Sequence, residues 1–498
     1  MKNLLLALLF VGALTIHSNK LLSNEDEQVS IEADEIIVTS SYIDPNLSDL
    51  DDPIHVIDGE DTIFDTTVSL GESLDNLLGV QSSDFGSAVG HPIIRGLSGN
   101  RVRIMNNGKT LRDVSTIGDD HMNEVDLNDI QQIEIVRGPS SLLYSSGTVG
   151  GIVNIIDNTI AREDFKEPKL NIGLESQSVN DGEAGSFSYQ NNLGGFNISL
   201  AYKDSQFDNY DIPNGAIIHT EDEHHDEDEH HDEEEHHDED EHHDEDEHEM
   251  EIDYFNKDYS ETSFAVNFSR DVNDNFTVSL GLARVERAPS AVELFMNGAH
   301  LVTGRFEVGN TDLESETANN VDLNIFYQNN NFSLRGNIFK NDIDNYIYLQ
   351  DETEEEHEEH EEHDDHGGLI LANFLQKDAE LEGYEFEISQ IFTFDRGNLS
   401  LSLGRDSVTG EFKNGMNIPR IVPARNIITV SYSEDNLVAR LTYKDVEEQN
   451  DIGEGETATE AYEMLDFSLR KTFVLNNQNK ISLSLFGKNL LDEVARNH

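Results

Sequence analysis

Period-two alternation between about Lys169 and Gly487 restricts this chain more than any other feature. Successive side chains of a strand point to opposite faces, so alternating apolar residues mark a strand with one apolar side. "SFAVNFS" places Phe264, Val266 and Phe268 on one face, and "FTVSLGLARV" does so with Phe276, Val278, Leu280 and Leu282. "LSLSLG" (Leu399–Gly404) and "ISLSLFG" (Ile481–Gly487) repeat the pattern with serine between. There are about 13 such segments, several joined by turns such as "NNN" at 329–331 and "EDN" at 434–436. A soluble sandwich or a membrane barrel would suit the pattern. The barrel accounts for more of it. The segments approach the ~9–11 residues of a tilted bilayer strand, and short turns alternate with long polar loops. The face opposite the apolar one carries Ser, Asn, Gly and Arg, as a wet lumen would. In lipid only a closed barrel satisfies every backbone group of a sheet. Tryptophan is absent, but 24 Phe and 14 Tyr can supply the interfacial aromatics.

Ahead of this region, about Ile31 to Asn158 mixes short apolar runs with glycine-rich turns, as a compact α+β domain would. The N-terminus "MKNLLLALLFVGALTI" has the basic start and short apolar core of an export signal, assigned to residues 1–23 with the cleavage position open. No later run reaches the ~20 apolar residues of a membrane helix. The net charge of −69 argues against nucleic-acid binding. The absence of cysteine excludes disulfides and thiolate sites.

Two tracts concentrate the acidity. Residues 221–249, within a loop assigned to 219–253, hold 20 Asp/Glu and 9 His and nothing else. Four pairs recur every six residues: His224 with His225, His230 with His231, His236 with His237, and His242 with His243. The second tract, 351–366, adds 11 acids with His357, His360, His363 and His366. Without both tracts the chain still has 70 acids against 32 bases. Such tracts have no apolar surface to offset chain entropy and repel themselves, so they belong in external loops. Imidazole suits Zn, Cu and Ni, whereas carboxylates alone would suit Ca or Mg. With an ordinary pKa of about 6.5, histidine can ligate at neutral pH and should release metal on acidification. The tracts are therefore expected to bind metal at many weak, exchangeable sites; a solvated acidic loop with incidental histidines is the alternative.

Several stretches together resemble the TonB-dependent outer-membrane receptors. "DEIIVTS" resembles their energy-coupling box, assigned to Glu35, Ile36, Ile37, Val38, Thr39 and Ser40 within an acidic leader at 24–48. "HPIIRGLSGNRVRIMNNG" and "IEIVRGPSSLLYSSGTVGGIVNIID" resemble the plug, with Arg95, Gly96, Arg137, Gly138, Pro139, Gly147, Gly150 and Gly151 as its motif residues. Here glycine permits tight turns and close backbone approach inside a filled lumen. The resemblance implies an N-terminal α+β plug domain (49–165) in the lumen of an all-β transmembrane antiparallel barrel (166–498), in the outer membrane of a Gram-negative bacterium. It also implies energised uptake without covalent chemistry or a catalytic cofactor, with TonB pairing to the box as an added strand.

Within that family the chain is most similar to the zinc-uptake branch, which carries His/Asp-rich external loops. "DVSTIGDDHMNEVDL" resembles the branch's plug segment, in which an Asp-His pair forms part of a buried zinc site; the pair carries over as Asp120 and His121. "RAPSAVELFMNGAHLVTGRFEVGN" supplies Glu293 and His300 as barrel ligands. His91 and His498 are weaker candidates. Copper, nickel or haem uptake is the alternative, although the seven Met are scattered and no axial haem ligand is identifiable. A non-transporting surface protein anchored by the barrel would not need the box and plug motifs. Two departures stand out: about 13 segments cannot make the family's ~22 strands, and no final aromatic-ended strand follows "LFGKNLLDEVARNH". The sequence thus predicts an incomplete or internally shortened barrel.

Overall fold

A computed structural model describes residues 54–59, 69–84, 89–118, 121–123, 125, 127, 130–157, 164–209, 257–353, 369–475 and 479–496. The coupling box Glu35–Ser40, Asp120 and His498 lie outside the described residues. So do all the tract histidines expected to bind metal. In the first tract these are His224, His225, His230, His231, His236, His237, His242 and His243. In the second they are His357, His360, His363 and His366.

The plug comes first. Its elements are β1 (Ile54–Asp58), α1 (Leu70–Leu74), β2 (Val80–Asp84), β3 (Gly90–Ile94), β4 (Val102–Asn106), β5 (Lys109–Thr110), β6 (Ile130–Arg137) and β7 (Gly151–Asp157). Five of these strands form a mixed sheet ordered β1-β6-β7-β4-β5, with β4 and β7 parallel, and β2 and β3 make a separate hairpin. Runs such as "IEIV" and "GIVNII" are fully buried, as expected for strands covered on both faces. Leu70, Leu74, Val80, Ile94, Ile133, Ile135, Val153 and Ile155 form their common core. α1 is a single turn begun by Ser69, whose Oγ accepts from the Glu72 N–H at 3.2 Å.

The wall follows as β8 (Lys169–Gln177), β9 (Gly182–Leu193), β10 (Phe196–Gln206), β11 (Phe264–Asn273) and β12 (Phe276–Arg287). A loop excursion holds α2 (Ala291–Phe295), β13 (Asn297–His300) and β14 (Arg305–Val308). β15 (Glu316–Gln328), β16 (Phe332–Asp351), β17 (Ile370–Phe394), β18 (Gly397–Phe412), β19 (Arg425–Glu434), β20 (Leu437–Val446), β21 (Tyr462–Val474) and β22 (Lys480–Gly487) complete it. Each long strand pairs antiparallel with the next in two runs, β8 to β10 and β11 to β22, so thirteen wall strands are described. Among the described residues no pairing joins the two runs.

Alternation sorts the faces as the sequence predicts. On β12, Ser279, Gly281 and Ala283 are buried against the plug while Leu280 is exposed to the outside. On β8 and β22 the outward Leu170, Ile172, Leu174, Ile481, Leu483 and Leu485 are all exposed, as lipid contact requires. Plug and wall share an apolar seam in which Ile93, Leu97 and Val149 pack with Val285, Ala318, Phe339, Val408 and Ile421. Gly281 makes room for the plug motif: a Cβ there would lie 2.9 Å from Pro139.

Candidate functional site

The plug motif arginines are anchored in the wall. Arg95 donates from Nη1 to Asp322 at 2.6 Å, from Nε to Glu385 at 2.8 Å and from Nη2 to Asn337 at 2.9 Å. Arg137 donates to the other oxygen of Glu385 at 2.7 Å and to the Leu78 carbonyl at 2.6 Å. All four charged groups are buried, so each carboxylate offsets a large desolvation cost. Glycine is required beside them. Gly138 has φ +66° and a Cβ there would sit 3.0 Å from both Asp322 oxygens; Gly79, at φ +69°, would push a Cβ to 2.2 Å from Glu385 Oε1. We expect Gly79→Ala to destabilise the plug by more than about 1 kcal/mol from the backbone conformation alone. Protease susceptibility of the plug in the intact protein measures this.

A second cluster ties α1 to the last third of the wall. Arg425 pairs with Asp406 at 3.0 Å and with Asp75 at 2.9 Å, and Lys444 also donates to Asp75. Burial alone would raise the Asp75 carboxyl, but Lys444 and Arg425 outweigh it and hold it at about 2. A depressed folded pKa stabilises above the ordinary carboxylate pKa, and that contribution disappears as pH falls through the folded value. Melting temperatures of the wild type and Asp75→Asn should therefore differ fully above about pH 4 and converge as pH approaches 2.

The candidate metal residues lie where the excursion after β12 meets the plug. Ser290 caps α2 and forms a reciprocal capping box with Glu293. β13 and β14 then form a hairpin in which His300 faces Arg305 and Gly298 faces Glu307, and β14 adds to β17 in parallel. This register places His300 and Glu307 diagonally on one face, and His300 Nδ1 meets Glu307 Oε1 at 2.8 Å, with both side chains buried. From the plug, the His121 ring stands edge-on to His300 with centroids 6.0 Å apart. His91 Nε2, on β3, donates to the His121 carbonyl oxygen. A carbonyl can only accept, so Nε2 carries the hydrogen. His91 thus holds the segment that presents His121.

Glu293, expected beside His300 as a ligand, is committed elsewhere. Arg287 donates to its two oxygens at 2.9 and 3.0 Å, and the Ser290 N–H donates at 2.6 Å. Burial would raise its carboxyl, but the Arg287 charge and these hydrogen bonds hold it below the usual range. The carboxylate beside His300 is Glu307, which the sequence reading missed. Its signal was present: Gly304, at φ +65°, turns "HLVTGRFE" back on itself.

The contact of Glu307 with Nδ1 of His300 is the carboxylate–imidazole arrangement that orients metal-binding histidines. Two imidazoles on one tetrahedral ion have centroids roughly 5 Å apart, given metal–nitrogen distances near 2 Å. The pair at 6.0 Å is close to that separation. Among the described residues no three His, Asp or Glu converge tightly enough to hold an ion. Asp120, next to His121 in sequence, lies outside them.

The family description "TonB dependent receptor-like, beta-barrel" matches residues 235–490, and "TonB-dependent Receptor Plug Domain" matches residues 46–152. The chain is 30% identical over 125 residues to the vitamin B12 transporter BtuB of Photobacterium profundum, a match spanning 25% of this chain and only 20% of that transporter. Among solved structures it is similar to the copper transporter OprC, with a TM-score of 0.58 at 12% identity over 88% of this chain and 94% of that one. It is also similar to the siderophore receptor PirA from Pseudomonas aeruginosa, with a TM-score of 0.56 at 15% identity over 88% and 95% of the two chains. At these identities the structural likeness concerns the fold.

Proposed function

The chain belongs to the TonB-dependent receptors, and from that premise we propose that it is an energised uptake receptor for zinc. Its place is the outer membrane of Gram-negative bacteria, as for the family. The observation that carries the choice of zinc is the meeting of His121 from the plug with the His300–Glu307 pair from the wall. Imidazole with carboxylate support suits zinc, and a site divided between plug and wall opens when the plug moves. Asp120 completes the proposed donor set, and the two histidine tracts concentrate metal ahead of it. TonB, pairing with Glu35–Ser40 as an added strand, supplies the pull on the plug.

In this reading metal exchanges from the tracts to His121 and His300, and Glu307 keeps the His300 ring aimed. His91 holds the His121 backbone to β3, so displacement of the plug core carries His121 away from His300 and dissolves the site. No covalent step is involved. Zinc, copper(II) and nickel titrations of the purified metal-free chain test the assignment. The expected result is one tight zinc site that survives deletion of 219–253 together with 354–366, the deletion removing only weak sites. Tighter nickel binding, or loss of the tight site with the tracts, would sink the zinc assignment.

A further inference from the structure

The excursion after β12 does not stay above its own strands. It leaves at Arg287 and returns at Glu316, which are paired neighbours on β12 and β15, yet its hairpin joins β17, two strands further along the wall. β18 stops at Phe412, opposite Ala379, and β14 takes the edge of β17 beyond it, from Arg305–Ile370 to Val308–Asn373. The excursion therefore crosses the mouth of the wall above β15 and β16. Its two legs are tied to each other. The Gly309 N–H donates to the Met296 carbonyl at 2.7 Å and the Asn310 N–H to the Glu293 carbonyl at 2.9 Å. The legs approach so closely that a Cβ on Gly309 would lie 2.6 Å from the Phe295 nitrogen. Leu294 and Leu313 bury this base against Ile347, and the Gln376 amide holds both the N–H and the carbonyl of Glu314. The tip is held differently. Arg305 grips the two oxygens of Asp351 from Nε and Nη2, each at 2.7 Å, and Arg420 reaches the same carboxylate at 3.1 Å. Arg420 does so from a backbone at φ +62°, a conformation costly to a residue with a side chain.

His300 and Glu307 are 8% and 6% exposed, so an ion reaches them only when something that covers them moves. Movement of the plug opens the site on the side where the ion leaves; arrival from outside needs another motion. We propose that the β13–β14 hairpin is a strap across the site, hinged at its cross-tied legs and latched to β17 by Arg305, Asp351 and Arg420. A parallel addition of four residues is a modest hold by itself, whereas a bidentate guanidinium–carboxylate pair is strong and fixed in direction. The base stays packed while the tip lifts from β17, carrying His300 and Glu307 outward together. The role in metal entry rests on the zinc-uptake reading; the strap and its latch do not.

Amide hydrogen exchange of the metal-free full chain in detergent tests the strap. The Arg305–Val308 and Ile370–Asn373 segments should exchange faster than the Met296, Gly309 and Asn310 amides of the base. Arg305→Gln and Asp351→Asn should speed the first group by about tenfold, the scale of one charge-assisted contact, and leave the base unchanged. The double variant should add little to Asp351→Asn alone, because both changes remove one shared contact. Asp312→Asn, an exposed loss of charge on the returning leg, should change neither group. Zinc release to excess chelator, and zinc uptake from a buffered pool by the metal-free chain, test the gate. An unlatched strap opens more often, so Arg305→Gln should raise both rates about tenfold and leave the affinity nearly unchanged. Arg305→Lys, which keeps the charge without the fork, should recover part of the difference. Exchange that is uniform over tip and base, or unaltered in both latch variants, overturns the strap. Faster release without faster uptake overturns the gate, since a residue that only aligns His300 alters release and affinity together. Faster tip exchange in a chain that binds no zinc tightly rejects the zinc reading and keeps the strap.

Discussion

Glu385→Ala is expected to destabilise the plug by about 3–5 kcal/mol, the usual cost of removing one partner of a buried ion pair. Glu385 is 6% exposed and its two oxygens bind Arg95 and Arg137 separately. After the change Arg95 keeps Asp322 and Asn337, whereas Arg137 keeps the Leu78 carbonyl and, among the described residues, no carboxylate at hydrogen-bond distance. An unpaired guanidinium under the plug then draws in water or displaces β6. Hydrogen exchange of the Ile130–Arg137 amides reads the effect, because a plug inside a wall need not unfold together with it. Glu385→Gln, which retains acceptor geometry for one arginine, should fall between the two. Exchange unchanged in Glu385→Ala would mean that the apolar seam, rather than this ion cluster, holds the plug.

The largest functional effect is expected at His300. His300→Ala removes a proposed zinc ligand and should weaken the tight site by at least about 100-fold, while Glu307→Gln should weaken it by about 10–100-fold through loss of ring orientation. Glu293→Gln should leave zinc affinity nearly unchanged and loosen the excursion instead, because Glu293 serves Arg287 and the α2 cap. Competition with a zinc chelator of known affinity separates these outcomes. If Glu293→Gln abolished binding while Glu307→Gln did not, the assignment of the two carboxylates would have to be exchanged.

Much of this architecture was legible because alternation and glycine placement are local properties. "FTVSLGLARV" fixes which side of β12 meets lipid from its own residues, and "VRGPSS" marks a turn that only glycine enters easily. The partners of Arg95 and Arg137 were not legible. Asp322 and Glu385 stand at single inward positions of β15 and β17, more than two hundred residues from the arginines, with nothing nearby to distinguish them from other acids in an acidic chain. The same holds for Asp75 and Arg425. Glu293 misled for a definite reason: Ser290-x-x-Glu293 is a capping box, and a residue already fulfilling that role is a poor ligand candidate. The hairpin that pairs His300 with Glu307 could have been read from Gly304 and the spacing around it.

The most direct test of energised zinc uptake is zinc accumulation in zinc-starved cells expressing the chain, beside cells expressing Val38→Pro with outer-membrane insertion confirmed for both. Proline removes a backbone N–H and cannot take a central place in an added strand, so coupling through Glu35–Ser40 would be blocked while plug and wall are untouched. The account predicts zinc accumulation above untransformed cells that falls to their level in Val38→Pro. Accumulation that is equal in the two, or absent in both despite insertion, would contradict it.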